Sequence, residues 1–319
     1  MVAKADGDNL AFKNVCSYVK VTPTVACKKI EVRAMDADLA GTFTVAVSDA
    51  PTASNISDGK SVVTLKAADG DLAAGTYYIA VLPGAKSKGI EVRFYTSAET
   101  FNYNARSTSF TFVRNKVHSG GDNSGALGTT WSKNTDYYGW VYDYKATEVK
   151  TVTIKTGVSG AMPSDAKALN NENTLWARKD AENNYYFETT ASKIVATKMQ
   201  RAFYYLQNVE SYTGLDKLDV SDVSTFESCF KENRYALASL DLSSWQINPA
   251  ASTEQMFMYC RSLSNLTLNN TFHSGSYMFS AVANASGSCT VYGVTDANVK
   301  NNLKTDTEWN ATKMHFDGE

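Results

Sequence analysis

Phe203, Phe230 and Phe257 recur at intervals of 27 residues, and so do several unrelated neighbours: Met199 with Phe226, Leu218 with Trp245, Val220 with Ile247. Leu206, Asn233 and Cys260 share the step. Several positions obeying one period mark a stacked-repeat architecture, in which no repeat can bury its apolar face without its neighbours. The rest of the chain must then be attached to this array or close its ends.

Each repeat has two halves with different periods. The first is apolar at i, i+3 or i+4, and i+7, as in Met199, Phe203 and Leu206, or Met256, Phe257 and Cys260. That spacing predicts one face of a short helix of two turns at most. The second half reads Leu-x-x-Leu-x-Leu, in Leu237, Leu240 and Leu242, then Leu263, Leu266 and Leu268. Alternation of this kind predicts a strand with its leucines on one face. The step from Phe230 to Leu240 is 10 residues and from Phe257 to Leu266 is 9, whereas Phe257 to Phe279 is 22 instead of 27. The spacing therefore predicts four helix–strand units, with outer loops that absorb variation in length. Tyr212 holds the strand position of the first unit, and Met278, Phe279 and Cys289 belong to the fourth. Cys229, Cys260 and Cys289 fall on core positions with no histidine recurring beside them, so they read as packing and not as nucleophiles.

Residues 237–245 (LASLDLSSW), 254–268 (EQMFMYCRSLSNLTL) and 276–279 (SYMF) resemble the BspA-type leucine-rich repeats, a family of surface proteins. The resemblance runs from about Ile194 to Tyr292. It is degenerate in the first repeat, where Leu206 and Tyr212 replace Cys and Leu, and Asn233 replaces Cys in the second. It implies adhesion to host or matrix components or to other cells.

Upstream, residues 12–21, 29–34, 41–47, 61–67, 76–82, 89–95 and 108–113 are short bursts of β-branched and aromatic residues, divided by turn signals such as Asp58-Gly59 and Pro83-Gly84. Seven such strands predict a β-sandwich. Residues 10–21 (LAFKNVCSYVKV), 38–45 (DLAGTFTV), 77–84 (YYIAVLPG) and 112–121 (FVRNKVHSGG) resemble the fimbrillin-like proteins of Bacteroidetes, where they belong to the second of two sandwich domains. Those proteins are secreted, usually lipid-anchored, and build pili or act as adhesins. The expected fold class is thus α+β: an N-terminal β-sandwich of the fimbrillin or transthyretin type, then a short leucine-rich-repeat solenoid with a β-hairpin cap.

Residues 119–135 are rich in Gly and lack periodicity, which predicts a linker. Asp122 and Asn123 read as part of it, since the other ligand positions of a calcium loop are missing. Trp131, Tyr137, Tyr138, Trp140, Tyr142 and Tyr144 follow. They are candidates either for a sugar-stacking platform or, the better reading, for glue at the domain junction. Residues 148–155, 174–178 and 185–189 read as strands, the last two joined in a hairpin that would cap the array. After the last repeat, Thr295 or Asp296 is placed to cap a short helix whose Val299 and Leu303 share a face, followed by a terminal strand over 312–316. The expected domains are 1–118, a junction at 119–147, and 148–319.

Little in the chain invites other chemistry. The formal net charge is −2, with 31 Lys and Arg against 33 Asp and Glu, and no basic run argues for nucleic acid. No apolar run nears the ~20 residues of a transmembrane helix. The first eight residues are polar, which fits a cytoplasmic protein or one whose signal precedes Met1. Cys16 and Cys27 flank a turn, where a disulfide is geometrically possible, although two buried thiols is the plainer reading. His118, His273 and His315 lie in no catalytic or metal-binding motif, so no catalytic residue, cofactor or metal is expected. The function expected is that of a cell-surface or outer-membrane adhesin, or a pilus-associated binding protein. Its partners would be a host or matrix protein, a surface glycan, or pilus subunits. The loops over residues 242–254 and 268–278 are the expected binding elements, and an accessory carbohydrate-binding protein is the alternative.

If the phenylalanines stack between repeats, Phe230→Ala opens a cavity and lowers stability by about 3–5 kcal/mol. Thermal or denaturant unfolding of the variant measures this directly, and an unchanged melting temperature would refute the packing.

Overall fold

Alternating β-branched and aromatic residues run through most of the chain, and strands form wherever they do. The computed structural model describes residues 2–6, 9–46, 51–133 and 146–319. The chain divides into two units, residues 1–127 and 128–319.

In the first unit, Thr100–Arg106, Ile90–Tyr95, Lys29–Ala34 and Val62–Leu65 lie side by side in that order, all antiparallel. A second sheet places Ser17–Val21 between Val117–Gly121 and Tyr77–Val81. Val19, Val21, Ile79 and Val81 from this sheet share a core with Ile30, Val32, Ile90, Val92 and Phe94 from the other. Val117–Gly121 and Ala126–Trp131 are strands, so most of the stretch read as a linker is ordered β-structure. Between them Asp122 accepts hydrogen bonds from the backbone N–H and hydroxyl of Ser124, which closes a local turn. All five cysteines are free thiols, and Cys27 is part of the core.

Lys29–Ala34 and Ile90–Tyr95 are buried on both faces. Behind the apolar face, Glu31, Arg33, Glu91 and Arg93 form a checkerboard, because the register sets Arg93 opposite Glu31 and Glu91 opposite Arg33. Glu31 pairs with Lys29 at 2.6 Å and with Arg33 at 3.0 Å, and Arg93 pairs with Glu91. The Tyr95 hydroxyl donates to Glu31 at 3.3 Å, and burial pushes that phenol up to about 12. Burial also pushes the Glu31 carboxyl upward, but Lys29, Arg33 and Arg93 outweigh it and hold the group below its ordinary value of 4.5.

The second unit holds the repeats. Leu175–Lys179 and Asn184–Thr189 form an antiparallel hairpin whose turn is fastened by Asp180, which accepts from the backbone of Glu182 and Asn184. Thr151–Lys155 runs parallel to both Asn184–Thr189 and Ser211–Thr213. Beyond them, Ser239–Asp241, Asn265–Thr267, Cys289–Tyr292 and Met314–Phe316 form a parallel sheet in which Leu240, Leu266, Val291 and Phe316 line up across the register. A column of rings follows the same direction. Phe203 stacks on Phe230 at 5.2 Å, Phe230 on Phe257 at 6.0 Å, and Phe257 on Phe279 at 5.9 Å.

The α+β class expected from the sequence, with its helix–strand solenoid, is overturned. The chain is nearly all β in several sheets, and the only α-helix among the described residues is Ala297–Leu303. Its N-cap is Asp296, whose carboxylate accepts from the N–H groups of Asn298 and Val299. The halves of the repeats read as helical are ribbons of consecutive turns. In each, alternate N–H groups bond locally, as from Cys229 to Phe226 O and from Lys231 to Ser228 O. The intervening ones cross to the next repeat: Ser228 to Glu254 O at 2.9 Å, Phe230 to Met256 O at 2.9 Å, and Glu232 to Met258 O at 2.9 Å. A helix would spend every interior N–H on itself and offer none sideways.

The ribbon bends through left-handed residues at fixed places. Arg201 and Tyr205, Ser228 and Glu232, Gln255 and Tyr259, and Tyr277 and Ala281 have φ between 54° and 69°. None is glycine, so each costs about 1–2 kcal/mol of backbone energy, offset by the lateral bonds that the bend permits. At the far end Asp306 accepts from Phe279 N–H at 3.0 Å, and Trp309 packs edge-on to Phe279. A carboxylate and an indole thus replace the next repeat's carbonyl and phenylalanine.

Two expectations follow. Ala281→Gly releases left-handed strain and is expected to raise stability by about 0.5–1 kcal/mol, whereas glycine within a helix would lower it by about 1 kcal/mol; the sign, read by urea unfolding, separates the two. Glu31 has a folded-state pKa below its unfolded one, so its contribution is complete above pH 4.5 and is lost as pH falls below that value. Glu31→Gln is expected to cost about 3 kcal/mol at pH 7 and to flatten the fall in melting temperature between pH 5 and pH 3. An equally steep fall in the variant would remove Glu31 as its source.

Candidate functional site

Each of the first three ribbons ends with an inward side chain, Leu206, Asn233 or Cys260, all buried. Asn233 and Cys260 do the same work there. The amide of Asn233 donates to Phe203 O at 2.9 Å, and the thiol of Cys260 donates to Phe230 O at 3.2 Å, each reaching the phenylalanine of the preceding repeat. The residue that follows is partly exposed at a corner: Gln207, Arg234 and Arg261, again 27 apart.

The corners are fastened to one another. Tyr235 N–H donates to Gln207 O at 2.9 Å, Ser262 Oγ donates to the carbonyls of Arg234 and Tyr235, and the N–H groups of Ala285 and Ser286 donate to Arg261 O. Two large side chains of the region are exposed, one at a corner and one at the start of a ribbon. Tyr235 is 58% exposed, and Tyr277, on the fourth ribbon, is 49% exposed. The guanidinium groups of Arg234 and Arg261 lie 5.4 and 5.5 Å from the centre of the one Tyr259 ring. Arg234 also pairs with Glu232, whose carboxylate raises its pKa above the ordinary arginine value. Tyr and Arg are enriched among the side chains that dominate binding energy in protein interfaces, Tyr because it gives large contact area at little entropic cost and Arg because its fork makes several hydrogen bonds at once.

The outer loops look different. In residues 242–254, Trp245 and Ile247 turn inward, the indole donating to Leu215 O at 3.0 Å, while Ser243, Ser244, Asn248, Pro249 and Ala250 remain exposed. Asn269 fastens the next loop back to this one, donating to Ser243 O and Trp245 O. These loops thus offer small polar groups on a fixed frame. Trp131 is 2% exposed and packs on Phe187 at 5.1 Å, so it belongs to the core and is no sugar platform. Tyr137, Tyr138, Trp140, Tyr142 and Tyr144 lie outside the described residues.

The remaining reactive side chains have structural tasks. Burial pushes the thiols of Cys229, Cys260 and Cys289 upward, that of Cys289 to about 12, which keeps them protonated at neutral pH. His118 packs edge-on against both Phe110 and Phe112, His273 bonds Ala251 O at 2.7 Å, and His315 bonds Thr290 across the parallel sheet. The sequence already held a signal for the corner: Arg234 and Arg261 obey the same 27-residue step as the core. A search for apolar periodicity passes over it.

A family model described as "Mycoplasma protein of unknown function, DUF285" matches residues 190–292, about a third of the chain and the stretch that holds the repeats. No curated protein and no solved structure matches the chain. No helix among the described residues is long and apolar enough to cross a membrane.

Proposed function

We propose that the chain is a surface-displayed binding protein, an adhesin or pilus-associated component of the BspA type, whose repeats present the contact surface and whose first unit serves as the mount. The observation that carries this reading is the corner edge. A fixed repeat frame holds Tyr235, Arg234, Tyr259 and Arg261 at its surface, and Tyr277 is exposed on the next ribbon. Such an edge needs no rearrangement on contact, so little affinity is lost to ordering. The family match over residues 190–292 coincides with this region. The resemblance of residues 112–121 and their upstream companions to fimbrillin-like proteins supports display at an outer membrane. Host or matrix proteins, or glycans attached to them, are the partners that fit.

Immobilised matrix proteins and whole host cells provide the test, with the purified chain and a Tyr235→Ala, Tyr277→Ala variant as probes. Both side chains are about half exposed, so the variant is expected to fold normally. Loss of a single aromatic anchor costs about 1–2 kcal/mol or more, and the double variant is expected to bind at least about tenfold more weakly. Failure of the wild-type chain to bind any matrix protein or cell, or equal binding by the variant, would overturn the proposal. Replacing the exposed Ser243, Ser244, Pro249 and Ala250 with glycine, with Trp245 and Ile247 kept, then measures the contribution of the outer loop.

A further inference from the structure

Arg261 differs from the other arginines of the repeats. Arg234 is neutralised by Glu232 and Arg201 pairs with Glu227 at 3.5 Å, but Arg261 meets no carboxylate among the described residues. Its Nε is buried without a hydrogen-bond partner, and the group rests against the Tyr259 ring. Its terminal N–H groups donate to no protein group among the described residues and are not among the buried atoms, which leaves them available to an anion at the surface.

A second cation is tied to the same corner through the backbone. Lys313 Nζ donates to Asn284 Oδ1, and the next residue, Ala285, donates its N–H to Arg261 O at 2.8 Å. Lys313 has no carboxylate partner among the described residues either. Residues 284–287, Asn-Ala-Ser-Gly, are all exposed and small, and they connect Lys313, bonded at Asn284, to the Arg261 carbonyl, bonded by Ala285 and Ser286, as a low shelf. Ser262, next to Arg261 in the chain, donates its hydroxyl to Tyr235 O at 3.0 Å, so the exposed Tyr235 belongs to the adjoining corner. The chain as a whole has a net charge of −2, so this positive pair is a local feature and not a reflection of composition.

We propose that this corner is a binding site for an anionic glycan. The sulfate or carboxylate groups would lie on Arg261 and Lys313, hydroxyl groups would meet Asn284 and Ser286, and the apolar face of a sugar ring would lie against Tyr235. A guanidinium presents parallel N–H donors that match either anion in a bidentate pair. The low shelf has room for a flat polymer, and an aromatic ring beside it suits the apolar face of a pyranose. The site deepens the binding-protein reading by naming a ligand class and takes its biological sense from it. Its test uses only the purified chain, so it can fail while cell adhesion stands, or hold while adhesion fails.

Isothermal titration with a heparin-type sulfated oligosaccharide, polygalacturonate, dextran, polyglutamate and inorganic sulfate distinguishes the possibilities. The wild-type chain is expected to bind at least one of the two anionic glycans and not dextran. Added salt should weaken the interaction. The Arg261→Gln, Lys313→Gln double variant is expected to bind at least about tenfold more weakly. Lys304→Gln, which removes a charge paired with Glu319 elsewhere on the surface, should change binding less than about twofold. Melting curves accompany each variant, and Lys313→Gln alone tests the site should the double variant fail to fold. The proposal is overturned if neither anionic glycan binds, if polyglutamate or inorganic sulfate binds as tightly as the glycan, or if the Arg261 and Lys313 variants bind as Lys304→Gln does.

Discussion

The repeat region depends on backbone N–H groups that point sideways. In each of the first three ribbons every second donor crosses to the neighbouring repeat, from Arg201 to Glu227 O, from Phe230 to Met256 O, and from Tyr259 to Ser280 O. This single requirement accounts for the rest. It excludes an α-helix, it forces the left-handed bends at non-glycine residues, and it fixes the step between repeats so that the phenylalanines come into register. It also explains why the last ribbon needs Asp306, since an unmet donor at a buried position costs about 1–3 kcal/mol.

The first unit meets a related problem with charge. Two central strands buried on both faces would ordinarily be apolar throughout. Here Ile30, Val32, Val92 and Phe94 serve one face while Glu31, Arg33, Glu91 and Arg93 fill the other. Strand register decides whether such a face is tolerable. A shift of one residue would turn one strand's charged side chains toward the apolar core and away from the opposite charges of its neighbour, so the checkerboard penalises wrong pairings far more than it stabilises the right one.

Much of this architecture was legible in the residues, and the misreading has a definite cause. The 27-residue step, the phenylalanine column, the Asp296 cap and the hairpin ending in Lys179 all rest on spacing or on local side-chain chemistry. Met199, Phe203 and Leu206 pointed to a helix because apolar residues at i, i+4 and i+7 share a face in a helix and also in a run of turns. Glycine at the left-handed positions would have told the two apart, but Arg201, Tyr205, Ser228 and Glu232 occupy them. Similarly, Glu31 and Arg33 alternate with apolar neighbours as a solvent-facing edge would, and only their cross-strand partners reveal that they are buried. The corner edge went unread for another reason. Its repeating residues are polar, and Arg234 and Arg261 become a pair only when stacking brings both onto Tyr259.

The fastening of each ribbon to the next has a consequence for how such a chain can change length. Left-handed bends, inward phenylalanine and sideways donors recur as one set, so a whole repeat could be copied or removed and its flanks would still find partners. An insertion inside a ribbon would misplace all of them at once. The segment between Phe257 and Phe279, five residues shorter than its predecessors, shows where latitude lies: in the outer connection, while the bends at Tyr277 and Ala281 keep their four-residue separation. The lineage of this protein can therefore lengthen its corner edge only in whole steps, each adding one more outward position next to Gln207, Arg234 and Arg261.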